Sequence, residues 1–211
     1  MQQAAITEVS ARRVSAVDEA GFPDPAEWDK PVPVRFDMDW QGKNEDAGRE
    51  TEVRLLWTPA VLFVRFVCRY RELTTFPDAE ADGYRHELWD RDVAEIFVQP
   101  DRFGSRHYKE FEVAPNGYWI DLDIYPGGLA RLNSGLRRRV QVNEAKQVWT
   151  AELALPVGAI GGRAAPGQKW LVNFYRCEGT DPGRWYSAWR PTCTEKPNFH
   201  VPESFGVVQF E

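Results

Sequence analysis

Apolar and polar residues alternate along most of the chain from residue 52 onward. In residues 62–70 every even position is apolar, whereas Arg65 and Arg69 occupy odd positions. A period of two, or a short apolar run of strand length, recurs in residues 94–99, 109–113, 118–125, 149–155, 171–177, 185–189 and 207–210. Because successive side chains of a strand point to opposite faces, these segments are predicted to be β-strands.

Turn-forming residues separate the predicted strands. They occur at Pro100-Asp101, Pro115-Asn116-Gly117, Pro126-Gly127-Gly128, Gly161-Gly162, Pro166-Gly167 and Asp181-Pro182-Gly183. No segment of twelve or more residues shows the helical period together with capping residues. Eight to ten short strands joined by turns predict an all-β fold, a single-domain antiparallel β-sandwich of jelly-roll type. Residues 1–27 are the least patterned and are assigned to an N-terminal arm or edge segment, with the sandwich over residues 28–211.

Composition narrows the classes of function. The 211 residues are 43% hydrophobic and 27% charged, with a formal net charge of −6, which is ordinary for a globular protein with a core. No block of five or six like charges and no apolar run of about 20 residues occurs, so neither a nucleic-acid partner nor a membrane span is expected. The first fifteen residues lack the apolar segment of a secretory signal. The sequence as written therefore predicts a cytoplasmic location, or an extracytoplasmic one if a signal was removed.

The nine tryptophans divide into two groups. Trp57, Trp149 and Trp170 lie in strand patterns and are predicted to be core residues. Trp89 instead follows His86 and Glu87 and precedes Asp90 in a polar segment, where an indole exposed to water is unfavourable. It is interpreted either as a buried lid over one end of the sandwich or as a platform on which a sugar ring stacks.

Three glutamates offer the second candidate chemistry. Glu110 and Glu112 share one face of a predicted strand, and Glu95 lies on a strand that is expected to neighbour it. Paired carboxylates on facing strands can be the acid and base of a glycosidase. The alternative is that they are outward, solvated positions of a sheet with one wet face. No nucleophile-elbow, P-loop or dinucleotide-binding motif accompanies them.

Several segments, in this order, resemble the family 9 carbohydrate-binding modules that are attached to some xylanases. These segments are Thr51-Glu52-Val53-Arg54-Leu55-Leu56-Trp57, Leu88-Trp89-Asp90-Arg91-Asp92-Val93-Ala94-Glu95-Ile96-Phe97, Phe111-Glu112-Val113 with Asn116-Gly117, Trp149-Thr150-Ala151-Glu152-Leu153-Ala154-Leu155-Pro156, Asn173-Phe174-Tyr175-Arg176, Trp189, and residues 199–206. The resemblance covers about residues 28–211. It implies a jelly-roll-like sandwich without catalysis of its own that holds an oligosaccharide or polysaccharide.

The resemblance also implies a ligand site. Such modules clamp a sugar between two Trp rings, of which Trp89 matches the first, and Glu95 matches a polar residue of the following strand. Phe199 stands near the place of the second ring, and Glu112 stands where the family has a sugar-binding Arg. Because of these two departures, a structural or protein-interaction sandwich that has lost sugar binding is kept as the alternative function.

Two further residues and one ion complete the expectations. Arg176 is expected either to reach into the pocket or to pair with Glu95. His200, beside Phe199, could hydrogen-bond a sugar hydroxyl. The resemblance implies no cofactor other than structural calcium, for which the candidate donors are Asp24, Asp37 and Asp39.

Overall fold

The computed structural model describes residues 8–100 and 106–211, and its regular secondary structure is almost entirely β-strand. The thirteen strands are β1 (Glu8–Arg13), β2 (Val34–Phe36), β3 (Thr51–Trp57), β4 (Val61–Arg69), β5 (Val93–Gln99), β6 (Tyr108–Val113), β7 (Trp119–Tyr125), β8 (Gly128–Arg131), β9 (Arg137–Asn143), β10 (Val148–Pro156), β11 (Lys169–Glu178), β12 (Trp185–Ala188) and β13 (Gly206–Phe210). The described part contains a single α-helical turn, α1 (Val157–Ile160). Short 3₁₀ turns span Pro25–Asp29, Ala47–Arg49, Leu88–Asp90, Glu144–Lys146 and Pro202–Ser204. The all-β prediction is confirmed.

The strands form one sheet that curls into two layers. Its order is β8-β7-β6-β5-β11-β13-β1-β3-β4-β10-β9, with β12 paired to β11 and β2 paired to β3. Strands β4 and β11 are four places apart in this order, yet the rings of Phe66 and Phe174 meet with centroids 6.2 Å apart. The two halves of the sheet therefore face each other and enclose a core, as in a sandwich.

Strand β1 closes the seam between the two layers. It pairs in parallel with β13 on one side (Glu8 opposite Val207) and with β3 on the other (Ala11 opposite Leu55). All other pairings between the named strands are antiparallel. Part of the segment assigned to an arm or edge thus lies inside the sheet. Residues 1–7 lie outside the described residues, and the division at residue 27 stays a prediction.

The core explains most of the aromatic content. Trp57, Trp149 and Trp170 are buried, as predicted from their strand patterns. The ring of Phe210 packs edge-on against Trp170 and Trp57, with centroids 4.6 and 5.5 Å apart. Large flat rings fill the gap between the two layers and bury extensive apolar area.

The described residues include no helix long and apolar enough to cross a membrane.

Candidate functional site

The candidate site lies on the face of β5, β6 and β11 that points away from the core. Ile96 of β5 faces the core, so the residues on either side of it, Glu95 and Phe97, face outward. The register places Glu95 opposite Glu112 and Phe97 opposite Glu110 on β6. The ladder therefore brings three carboxylates and an aromatic ring onto one small area of the sheet.

Loops close over this area and form a cleft of about 280 Å³. Trp89 and Asp90 come from the 3₁₀ turn before β5, and residues 197–200 come from the segment before β13. Glu95 and Glu110 line the floor. Four residues predicted from the sequence, Trp89, Glu95, Phe199 and His200, thus line the same cleft, although they are up to 111 positions apart in the chain. Their binding role stays a prediction.

Trp89 is half-buried and packs against the edge of the core. The turn that carries it begins after Glu87, whose φ of 55° is left-handed, and is anchored by the fully buried Leu88. The His86 ring meets the indole edge-on at 6.0 Å. Part of the ring is therefore held in place from inside while part of it lines the cleft, and the role of Trp89 as a platform for a sugar stays a prediction.

Phe199 is held more tightly than Trp89. Its ring stacks on that of Tyr175 with centroids 4.2 Å apart and an angle of 12°, and only 8% of the residue is exposed. The hydroxyl of Tyr175 donates a hydrogen bond to the Phe199 carbonyl over 3.1 Å. One face of the ring is covered by Tyr175, so Phe199 can offer the cleft its other face and its edge.

His200 is the exposed polar residue beside this stack. Its Nδ1 lies 2.8 Å from the hydroxyl oxygen of Tyr108, within hydrogen-bond distance. Its ring lies 5.4 Å from that of Phe97. The imidazole is thus positioned by two neighbours at the edge of the cleft.

Glu95, Glu110 and Glu112 form a buried cluster, which corrects one expectation. The sequence suggested outward, solvated positions, but the loops over the cleft leave each residue at most 3% exposed. One carboxylate oxygen from each lies within 4.8 Å of the other two. Burial, together with repulsion between neighbouring carboxylates, raises the pKa of Glu95 to about 8 and that of Glu112 well above its usual range. Burial also raises the pKa of Glu110.

The polar neighbours of the cluster only partly satisfy it. The Cys177 thiol donates a hydrogen bond to Oε1 of Glu95 over 3.3 Å. The positive charge of Arg184 offsets part of the rise in the pKa of Glu95 and of Glu112. Within residues 8–100 and 106–211, neither carboxylate oxygen of Glu112 has a hydrogen-bond partner. Glu110 is close enough to form a hydrogen bond with Glu112, but that bond requires one of the two carboxyl groups to be protonated.

The structure places Arg176 away from the cleft, which corrects the expectation for this residue. It shares the core-facing side of β11 with Phe174, whereas Cys177, one position further, lines the cleft. Its guanidinium donates to Thr51 Oγ1 over 3.1 Å and forms an ion pair with Glu178, also at 3.1 Å. Arg176 therefore pairs with Glu178 between the layers and not with Glu95.

Sequence reasoning missed several cleft residues or gave them another role. Tyr186, Arg184 and Cys177 line the cleft without having been singled out, and Glu110 had been considered only as a catalytic partner. The alternation of β11 indicates that the side chains of Arg176 and Cys177 point to opposite faces of the sheet. No local feature of the sequence indicates that β12 pairs with β11 and so places Arg184 and Tyr186 at the cleft.

Asp24, Asp37 and Asp39 do not belong to a group of carboxylates with metal-binding spacing among the described residues, and structural calcium at these positions stays a prediction. Asp39 already accepts hydrogen bonds from the backbone amides of Gln41 and Lys43 and from the Asn44 side chain. This is a turn stabilised by its own aspartate. Among the described residues, the group of carboxylates with metal-binding spacing is instead the Glu95, Glu110 and Glu112 cluster.

Comparison with known proteins finds a family model and a relative. The family model described as "Carbohydrate-binding family 9" matches residues 130–210, less than half of the chain. A protein of Arthroderma benhamiae described as an extracellular protein is 21% identical over 178 residues, covering 76% of this chain and 78% of the relative.

Solved structures share the fold. A Bacteroides uniformis protein, described only as a candidate carbohydrate-binding protein, superposes with a TM-score of 0.74 at 20% identity, covering 97% of this chain and 99% of the other. A family 9 module from Caldicellulosiruptor kristjanssonii, in complex with cellotriose, gives 0.69 at 12% identity, covering 97% and 93%. Its glucose complex gives 0.67 at 12% identity, covering 97% and 95%. The predicted sandwich and the resemblance to family 9 modules are both confirmed.

Proposed function

We propose that this chain is a non-catalytic carbohydrate-binding module that holds a saccharide in the cleft between Trp89 and Phe199. The observation that carries the proposal is that two separated aromatic residues and two polar ones, Glu95 and His200, line one cleft. Sugar rings stack their C–H faces on aromatic rings while hydroxyls bond to nearby polar groups. The family match and the fold shared with sugar-bound modules support it.

The ligands to test first are glucose and cellotriose, because a module with this fold is known in complex with each. The experiment is a titration followed by intrinsic Trp fluorescence and calorimetry. Trp89→Ala is expected to weaken binding at least tenfold, since central aromatic contacts contribute about 2 kcal/mol or more. Trp89→Phe keeps an aromatic ring, so its affinity for the sugar is expected to lie between that of Trp89→Ala and that of the wild type.

Trp185→Ala is the matched control. Trp185 is also half-buried, but it precedes the cleft residue Tyr186 on β12 and so faces the other way, with its ring under Arg49. Unchanged affinity in Trp89→Ala would overturn the site assignment. If the wild type binds none of the gluco-, xylo-, manno-, galacto- and uronic-acid oligosaccharides in these titrations, the proposal of sugar binding is overturned and the protein-interaction alternative is favoured.

The spacing of the carboxylates favours one second candidate, a retaining glycosidase, in which two carboxyl groups lie about 5 Å apart. The oxygens of Glu95, Glu110 and Glu112 lie within 4.8 Å of one another. Both oxygens of Glu112 are sealed from solvent, however, which keeps them from the reacting carbon of a sugar. Hydrolysis of aryl glycosides that disappears in Glu95→Gln would support this candidate, and the proposal made above expects no turnover.

A further inference from the structure

We propose that Glu95, Glu110 and Glu112 bind one divalent cation of the calcium class at the floor of the cleft. Each of the three carboxylates contributes an oxygen that lies within 4.8 Å of the other two. Calcium binds carboxylate oxygens at about 2.3–2.6 Å, so two of its ligands can be up to about 5 Å apart. An ion between the three side chains can therefore reach all three at once.

A second observation, separate from the clustering, is that these oxygens lack partners outside the cluster. Both oxygens of Glu112 and Oε2 of Glu110 are sealed from solvent and, within the described ranges, accept no hydrogen bond from a residue outside the cluster. An unpaired buried carboxylate is unfavourable by several kcal/mol, and such groups are normally paired or bound to metal. One carboxylate oxygen of Glu112 lies within 4.8 Å of an oxygen of each of the other two glutamates, so a ligand held among them would satisfy it.

The neighbouring cation does not take this role. Arg184 lies 3.7 Å from Asp90 and over the ring of Tyr186, with its guanidinium carbon 4.9 Å from the ring centroid. Cys177 satisfies one oxygen of Glu95 and brings no charge. Among the described residues, the three carboxylates thus have one thiol donor, Cys177, and two basic neighbours, Arg184 and His200, both of which belong to the lining of the cleft.

The chemistry of the donors selects the ion. Carboxylate oxygens are hard ligands that suit calcium, magnesium or manganese, whereas zinc sites are mostly built from Cys and His. Magnesium usually keeps several waters, and a sealed floor leaves little room for them. A sugar hydroxyl or ammonium group in the cleft could bond to Glu95 or Glu110, which line it, but not to Glu112, whose two oxygens are sealed from solvent. Calcium fits best.

The test uses the whole protein after treatment with a chelator. Titration with CaCl₂ by calorimetry is expected to show one saturable site, and calcium is expected to raise the melting temperature. Terbium, a luminescent substitute for calcium, is expected to be sensitised by the nearby aromatic rings and displaced by calcium. Glu112→Gln, which keeps the shape of the side chain, is expected to weaken calcium binding at least tenfold, and MgCl₂ is expected to bind at least tenfold more weakly than CaCl₂.

Glu144→Gln is the matched control, because Glu144 is exposed and lies beyond β9, outside the cleft. Circular dichroism and a cooperative melt establish that each variant is folded, and Glu95→Gln provides an independent second variant. Absence of calcium binding by the wild type, or undiminished binding by both folded variants, would overturn the proposal. So would stabilisation by glucosamine but not by calcium, lost in Glu112→Gln, since the carboxylates would then bind an ammonium group. None of these readouts requires a neutral sugar, so the calcium site and sugar binding can fail separately.

Discussion

The ion pair between Arg176 and Glu178 allows a direct test of whether Arg176 stabilises the fold or contributes to ligand binding. The pair lies between the layers, with Arg176 Nη2 3.1 Å from Glu178 Oε1 and both side chains almost fully buried. Glu178→Gln removes one charge and keeps the shape. Because an arginine stays protonated in proteins, the guanidinium would remain charged beside a neutral partner.

The expected loss follows from the distance and the surroundings. At an effective dielectric constant of about 20, two unit charges 3.1 Å apart attract by about 5 kcal/mol. Measured losses on breaking buried pairs are about 3–5 kcal/mol. Glutamine keeps an acceptor oxygen, and the buried carboxylate of Asp92 still attracts Arg176. We therefore expect a loss of about 3 kcal/mol, or about 6–12 °C in melting temperature for a chain of this length.

The assay is urea denaturation followed by Trp fluorescence. Glu8→Gln, which removes the exposed partner of Lys169, is the control and is expected to change the free energy of unfolding by less than about 0.5 kcal/mol. The double variant Arg176→Met with Glu178→Gln is expected to recover part of the loss, since it also removes the guanidinium that Glu178→Gln leaves without its partner, while the buried Asp92 loses the attraction of Arg176. A loss below about 1 kcal/mol in Glu178→Gln would refute the reasoning.

Binding supplies the second half of the test. Because Arg176 faces the core, folded Arg176→Met is expected to keep its affinity for glucose or cellotriose within about threefold, a difference of less than 1 kcal/mol. A folded variant that has lost sugar binding would show that Arg176 acts in the cleft after all.

Two further predictions concern the core and the thiols. Phe210→Ala should lower the free energy of unfolding, measured by urea denaturation, by about 3–5 kcal/mol, because it leaves a cavity between Trp57 and Trp170. The control Leu129→Ala, at an exposed position, should have little effect. A loss below about 1 kcal/mol for Phe210→Ala would contradict the packing described for this ring. A thiol reagent at pH 8 should modify the exposed Cys193 rapidly in the native protein and all three cysteines only after unfolding, since Cys68 and Cys177 are buried and burial raises the pKa of the Cys68 thiol to about 11. Rapid labelling that persists in Cys193→Ser would contradict it.

The architecture was largely predictable because alternation is a local signal. The strand at residues 62–70 was predicted from its own residues, and Trp149 was predicted as core from the apolar residues beside it. The burial of Glu110 and Glu112 could not be inferred in this way, because a polar position on a strand looks the same whether water or a loop covers it. The covering loops come from residues 89–90 and 197–200, far away in the chain.

Alternation predicts which side chains of a strand share a face, but it does not by itself predict which face lies against the core. On β11 the alternation separates Arg176 from Cys177, but the sequence does not tell which of the two faces the core. An arginine is expected on the solvent-facing side of a strand. Arg176 instead lies on the core-facing side, where Glu178 and Thr51 provide an ion pair and a hydrogen bond for its guanidinium. A pair of complementary charges two residues apart on one strand was the signal that could have indicated this.

The seam at β1 constrains the order in which the molecule can be completed on the ribosome. Glu8 pairs with Val207, and the backbone amide of Glu211 donates to the carbonyl of Ala11 over 2.9 Å. β1 thus cannot satisfy one of its sides until β13, which begins at Gly206, has been translated. Until then it keeps an open edge, which is the part of a sheet most prone to pair with another chain. A nascent chain stalled before residue 206 therefore carries that open edge.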